Sequence, residues 1–404
     1  MLTVLLPLFL MTSPAWSSQR TLRLDYIFSG KAGETEISLY GMKSLDFWAG
    51  RGVNMDAAPV KGNGRITVRD IDGTVLYCNS FCTLFQEWLC TAEAKKLRRS
   101  FENVFMIPMP TSVAEVTVEL FDARGAVQTS MTHEVDPADI MIRPSGLQAP
   151  QFTYLHQSGS MQDCIDVAIV AEGYGALEKD LFLEDAAAAM EALFAHEPFT
   201  SFKDRFNIIA VPLESVESGV SVPSRGVWKN TAVGAGFDTF HVERYLTTER
   251  LFKLHDALAG VPYEHLIILA NTATYGGGGI YNSYTLTAAH DARFKPVVVH
   301  EFGHSFGALA DEYFNNEDDP SVSNYFDDLE PWEKNITTMN DFSSKWKSMM
   351  GTEGVSLYEG GGYQSTGVWR ACEDCRMKTN TAESFCPVCR AAIEEMIRFY
   401  TEQR

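Results

Sequence analysis

Hydrophobic and polar positions change texture three times along the chain. At the start, MLTVLLPLFLMTSPAWSSQR holds an apolar run from Leu2 to Met11 and then small residues, with Ala15 and Ser17 at the spacing a signal peptidase accepts. An export signal over residues 1–17, cut after Ser17, is the expectation. From Thr21 to about Val135 the segments TLRLDYIFSG, GRITVRD, GTVLYC, NVFMIPMP and VAEVTVELFD are short, several alternate apolar with polar residues, and Gly, Asp or Pro divides them. A period of two between such breakers predicts an N-terminal β-sandwich over residues 18–147, with a helical insert at FCTLFQEWLCTAEAKKLRRSF. The stretch VDPADIMIRPSGLQAP has three prolines and little periodicity, which marks an interdomain linker with its boundary near residue 148.

Beyond the linker, strand and helix patterns alternate. CIDVAIVAEGY, FNIIAVPL and HLIILAN are apolar and β-branched, as buried strands are, while EKDLFLEDAAAAMEALFAH and HVERYLTTERLFKLHDALAG carry helical periodicity. This organisation predicts an α/β domain over residues 148–404.

Composition narrows the functional classes. A chain of 404 residues exceeds what one core usually organises, and 45% hydrophobic residues exclude a disordered protein. The formal net charge of -20 repels phosphate backbones and anionic membrane surfaces, so no nucleic-acid partner is expected. No apolar run after the export signal is long enough to span a bilayer, and a periplasmic, cell-surface or extracellular location follows. Eight cysteines in an exported chain are most simply read as disulfides.

Chemistry concentrates in PVVVHEFGHSFGALADEY, residues 296–313. His300 and His304 are four apart, so on a helix both imidazoles leave one face a single turn apart and can reach one ion. Glu301 stands beside them, placed to take the proton of a metal-activated water and pass it to a leaving amine. The apolar flanks VVV and FGALA suit a packed active-site helix. A zinc peptidase uses three protein ligands and keeps the fourth position open. In the extended pattern HExxHxxGxxH the third ligand is a histidine; here Gly307 stands at the glycine position, Ala310 at the histidine position, and Asp311 and Glu312 follow. On an unbroken helix Asp311 would lie roughly 10 Å beyond His304, too far to share an ion. A turn at Gly307, through the left-handed conformation open to glycine, returns the chain. Asp311 is the expected third ligand and Glu312 the alternative; either carboxylate can instead orient a ligand histidine. The other seven histidines show no paired spacing.

Several segments together resemble the immunoglobulin A peptidase family of secreted bacterial zinc metallopeptidases, in the metzincin-like group. They are AEGY (171–174), PFTSFKDRFNIIAVPLESVESG (198–219), YGGGGIYN (275–282), HEFGHSFGALADEY (300–313), CRMK (375–378) and FCPVC (385–389). The resemblance covers the mature chain. It implies a metzincin-like zinc peptidase domain behind the N-terminal one, a single catalytic zinc ion with His300 and His304 as ligands, Glu301 as general base, and a protein or peptide substrate. It also implies that Met377 forms a methionine turn beneath the metal, with Met349 and Met350 as competitors. YGGGGIYNSYTLTA looks like a glycine-rich loop entering an edge strand, a place where an extended substrate can add by β-augmentation. Tyr313 is a candidate oxyanion stabiliser. The family's name assigns no substrate, and nothing in these residues encodes recognition of an antibody hinge, a scissile bond or an oligomeric state.

Two features stay open at this level. CEDC and CPVC, with Cys372, Cys375, Cys386 and Cys389, resemble a structural zinc ribbon, but export favours disulfides tying the Met377 segment to the final helix AAIEEMIRFY. The acidic run NNEDD (315–319) reads as a solvated loop, with calcium binding as its alternative. From a different class, a secreted binding or adhesion protein with a structural metal site competes with the peptidase. Glu301 weighs against it, since a structural site needs no general base.

Overall fold

The alternation in the first domain becomes two four-stranded sheets. In the computed structural model, which describes residues 19–314, 326 and 329–404, the elements in chain order are β1 (Thr21–Lys31), β2 (Glu34–Leu45), β3 (Gly64–Arg69), β4 (Val75–Phe81), helix α1 (Leu84–Leu89), β5 (Arg99–Pro108), β6 (Ala114–Phe121), β7 (Val127–Val135) and β8 (Arg143–Pro144). The expected export signal and the NNEDD run lie outside the described residues. One sheet has the order β5-β1-β2-β8 and the other β4-β3-β6-β7. Every second residue of β1 (Leu22, Leu24, Tyr26, Phe28) is buried against Ile66 and Val68 of β3 and Val116, Val118 and Leu120 of β6. Phe81 of β4 closes on Phe105 of β5 with ring centroids 4.5 Å apart. Facing apolar rows of this kind are what a period-two pattern builds.

Two of the intervening residues of β1, Arg23 and Asp25, are polar and equally buried. Arg23 pairs with Asp25 at 2.6 Å and with Asp256 of the second domain at 2.7 Å. At Arg23 and Asp25 the outer face of this sheet therefore meets the second domain. Asn54 likewise donates to the carbonyls of Phe399 and Glu402 near the C-terminus, at 2.7 and 2.8 Å. Within the expected linker, β8 pairs in parallel with β2 through Lys43 and Arg143.

The second domain continues with β9 (Thr153–Gln157), β10 (Ile165–Glu172), α2 (Lys179–Phe194), β11 (Phe206–Val211), α3 (Leu251–Ala257), β12 (His265–Ala270), β13 (Gly277–Ile280), β14 (Tyr284–Ala288), α4 (Phe294–Ser305), β15 (Ile336–Thr337), β16 (Tyr358–Gly361), β17 (Gln364–Arg370) and α5 (Pro387–Thr401). Its main sheet runs β13-β14-β12-β10-β11-β9. The four inner strands pair in parallel and the two edge strands antiparallel. β10, β11 and β12 are buried along their whole length, which explains their mostly apolar sequence. No helix among the described residues is long and apolar enough to cross a membrane.

The helix expected over HVERYLTTERLFKLHDALAG forms only at Leu251–Ala257. Its first half pairs instead: Gly236 bridges Thr247, Tyr245 bridges Gly277, and the Thr248 hydroxyl donates to the Val233 carbonyl at 2.7 Å. Non-local backbone partners, with two β-branched threonines among the residues concerned, outweigh the local helical period. The same bridge at Gly277 partly covers the outer edge of β13, the edge expected to take a substrate strand.

α4 carries the HEFGH motif. Pro296 sits in its first turn, where its missing N–H leaves no intrahelical bond unmade, and Val297, Val298, Val299 and Phe302 are buried. The glycines of β13 bring this edge strand hard against the helix. A methyl group on Gly279 would stand 2.3 Å from the Glu301 carbonyl oxygen and 2.9 Å from His304 Cβ. We expect Gly279→Ala to lower the unfolding free energy by about 1–3 kcal/mol, read as a lower denaturation midpoint. Gly41→Ala in β2, where the added carbon meets nothing within 4 Å, should stay within about 0.5 kcal/mol of the parent. Equal effects at the two positions would remove the close-approach argument.

Candidate metal centre

The two histidines of α4 converge as their spacing predicts. His300 Nε2 and His304 Nε2 are 3.1 Å apart, and Asp311 Oδ1 lies 3.1 Å from the first and 3.2 Å from the second. A tetrahedral ion with ligand bonds near 2.0 Å has edges of about 3.3 Å between its ligand atoms, so this triangle has the dimensions of one face. The far side of each ring is fixed by the backbone. His300 Nδ1 bonds the Arg376 carbonyl at 2.9 Å and His304 Nδ1 the Leu309 carbonyl at 2.6 Å. With both Nδ1 atoms donating, the Nε2 lone pairs face the shared point. These residues fit a metal ion.

Asp311 arrives because the chain reverses after α4, although not at the expected residue. Ala308, rather than Gly307, adopts the left-handed conformation, with φ 54. Ala308 N–H bonds the His304 carbonyl and Leu309 N–H the Gly303 carbonyl, each at 3.1 Å, which satisfies the last turn. Gly307 serves by having no side chain, since a Cβ there would come within 2.7 Å of the Gly303 carbonyl oxygen and 3.0 Å of Ile393. Asn335 then clamps the returning strand, accepting from Ala310 N–H at 2.9 Å and donating to its carbonyl at 2.8 Å. This asparagine opens an Asn-Ile-Thr glycosylation sequon, but it is fully buried and its amide is engaged.

Family models match both parts of the chain, one described as IgA Peptidase M64 over residues 153–357 and 351–397, the other as Peptidase M64 N-terminus over residues 15–132. The chain belongs to the IgA peptidase M64 family. No curated protein matches it. Membership makes this M64 chain a peptidase, built of an N-terminal domain and a peptidase domain and acting on protein or peptide.

The remaining residues singled out in the M64 sequence take distinct places. Glu312 turns away from the two histidines: it is fully buried, with Oε1 3.0 Å from Cys389 Sγ. The Tyr313 hydroxyl accepts from Arg244 at 3.1 Å, and its ring stacks beside His300 with centroids 6.5 Å apart. Met377 is fully buried, and a methyl group on Gly303 would come within 2.7 Å of its sulfur, which places it directly beneath α4. Met350, by contrast, is 40% exposed. The expected C-terminal disulfides do not appear in the structure: Cys372, Cys375, Cys386 and Cys389 are all thiols, and the Cys375 and Cys386 sulfurs accept from backbone N–H groups. Cys78, Cys82 and Cys164 are thiols as well.

Three contributors to the site carried no sequence signal. The Tyr363 hydroxyl donates to Asp311 Oδ2 from 52 residues away. Arg244 lies over the Tyr313 ring, 5.3 Å from its centroid. Glu87, on α1 of the N-terminal domain, accepts from Tyr245 and feels the charges of His304 and Asp311; burial pushes its pKa up to about 7.

Without an ion the triangle holds a proton. Burial works against a charged His304, but the Asp311 carboxylate, by charge and hydrogen bond, overrides it and lifts the imidazole to about 9. Asp311 is correspondingly held well below the usual carboxylate range despite its burial. A metal takes the deprotonated Nε2, so below pH 9 that proton must leave, and apparent affinity should rise about tenfold per pH unit up to there. Calorimetric titration of zinc into metal-free protein at pH 7, in two buffers of different ionisation enthalpy, should show about one proton released. Asp311→Asn removes the charge that holds it, and the release should shrink as the affinity falls. Undiminished release in the variant would mean that another group carries the proton.

Proposed function

We propose that this M64 chain is an exported, zinc-dependent endopeptidase with a metzincin-like catalytic domain from about residue 148, behind a domain spanning residues 18–147. The observation that carries the reading is the convergence of His300 Nε2, His304 Nε2 and Asp311 Oδ1 beside Glu301. A zinc ion held by these three would polarise the scissile carbonyl and bring the pKa of a water ligand down to about 7.

The chain's own groups supply the rest. Glu301 acts as general base: burial raises its pKa while the His300 and His304 imidazoles pull it back, so its carboxylate can take a proton and return it to the leaving amine. Its position is kept by β13, where a methyl group on Gly277 would come within 2.7 Å of Oε1. Tyr313 is the oxyanion donor. Its oxygen accepts from Arg244, burial holds the hydroxyl in its protonated form, and its proton, turned towards the Tyr363 oxygen across a long 3.4 Å, can be given to the oxyanion instead. Met377 forms the turn under the metal. The carbonyl before it orients His300, and its own carbonyl accepts from Glu312 N–H at 2.8 Å.

Glu301→Ala should lower cleavage of an unstructured protein by about 10²–10⁴-fold while zinc content stays unchanged. Equal cleavage with and without Glu301 would end the peptidase mechanism proposed here. Tyr313→Phe should lower kcat by about 10²–10³-fold with little change in KM; a change in KM alone would assign the tyrosine to substrate binding.

A further inference from the structure

A second cluster of ligating groups lies behind the first. The ligand atoms of Glu312, Cys375, Cys386 and Cys389 all fall within 4.8 Å of one another, and all four residues are buried. Cys375 Sγ and Cys389 Sγ are 3.7 Å apart. A tetrahedral zinc ion with Zn–S bonds of 2.3 Å separates two thiolates by about 3.8 Å, whereas a disulfide would need about 2.05 Å. Backbone N–H groups point at the sulfurs, from Cys386 to Cys375 Sγ at 3.2 Å and from Cys389 to Cys386 Sγ at 3.5 Å. Such donors favour thiolates over thiols.

Glu312 gives an independent pointer. It is fully buried; Oε1 accepts from Asn335 at 3.0 Å, but Oε2 has no hydrogen-bond partner. A buried carboxylate oxygen without a donor is costly. A cation among the sulfurs supplies the missing partner. Arg370 and Arg376, each 5% exposed, face Glu312 and Cys375 respectively and offset the remaining negative charge.

We propose that Cys375, Cys386, Cys389 and Glu312 hold a second, structural zinc ion. A compact sulfur-rich tetrahedral set with no open position suits zinc. Cys372, whose thiol reaches Cys386, lies beside this set rather than in it. The ion ties three pieces of chain together: the returning strand at Glu312, the turn at Cys375, and the start of α5, where Cys386 caps the helix. Two of these pieces are continuous with the first centre, through Asp311 and through the Arg376 carbonyl that orients His300. This site does not depend on catalysis and stands whether or not Glu301 acts as a base.

Metal content and cobalt spectroscopy of the full chain test it. Purified protein should contain two zinc ions per chain, and a His300→Ala, His304→Ala double variant one, released by a thiol-directed mercurial. Cobalt substituted into that variant should give sulfur-to-cobalt charge-transfer absorption in the near ultraviolet. Glu312→Gln should lower zinc retention against a chelator at least tenfold while Cys372→Ser leaves it unchanged. A single zinc in the parent and none in the double variant, or an intact mass showing a disulfide within residues 372–389, would overturn the proposal. Loss of the second zinc in Cys372→Ser but not in Glu312→Gln would overturn the ligand set.

Discussion

The reversal of the chain at Ala308 is the constraint on which the site depends. Left-handed backbone is unfavourable for alanine, at a cost of about 1 kcal/mol or more, and it persists because the surroundings over-determine it. The last turn of α4 takes up the amides of Ala308 and Leu309, and Asn335 clamps Ala310 through two hydrogen bonds. The reversal does two tasks at once. It returns Asp311 to the face of His300 and His304, and it delivers the Leu309 carbonyl that fixes the His304 ring. Either task alone would leave a two-histidine face unfinished.

The opposite wall is set by close approach rather than by bonding. β13 can lie against α4 only because its residues facing Glu301 and His304 are glycines. That contact buries Glu301 and makes its carboxylate more basic than a solvated one. The N-terminal domain joins the same wall through Glu87, held by Tyr245 in the segment that bridges β13. The first domain is thus part of the site's electrostatics, and its buried Arg23 and Asp25 anchor it there through Asp256.

What the sequence made legible follows from the range of the interactions. Five strands of the first domain (β1 and β3 to β6), β10 to β12, α2 and α4 are written in local hydrophobic periods, and each formed near its expected place, whereas β2 and β7, few of whose residues are fully buried, were not anticipated. The histidine pair was legible because its spacing is a property of one helix. The failures are non-local. The helix expected before Leu251 gave way to bridges with Gly236 and Gly277, residues 11 and 32 positions from their partners. Ala308 replaced Gly307 as the left-handed residue because packing against Gly303 and Ile393 decided which position had to lack a side chain. Tyr363 reaches Asp311 across 52 residues, and Asn335, which reads as a glycosylation signal, is an internal clamp. None of these has a local pattern to find.

Which of the two neighbouring carboxylates faces the histidines is decided by backbone geometry. Residues after Ala310 run extended, paired by Asp311 with Gly362 and by Tyr313 with Tyr363. In an extended chain successive side chains point to opposite sides. Asp311 and Tyr313 therefore face the histidines, while Glu312 between them faces the cysteines. The alternation explains why the second acid cannot substitute for the first without a register change that would also turn Tyr313 away. It explains equally why both acids are buried without repelling one another through a shared cavity: each is matched to its own cluster of positive or metal-binding partners. A single extended strand, held in one register by Asn335 and by the Met377 carbonyl, thereby sets which side chain faces the histidines and which faces the cysteines.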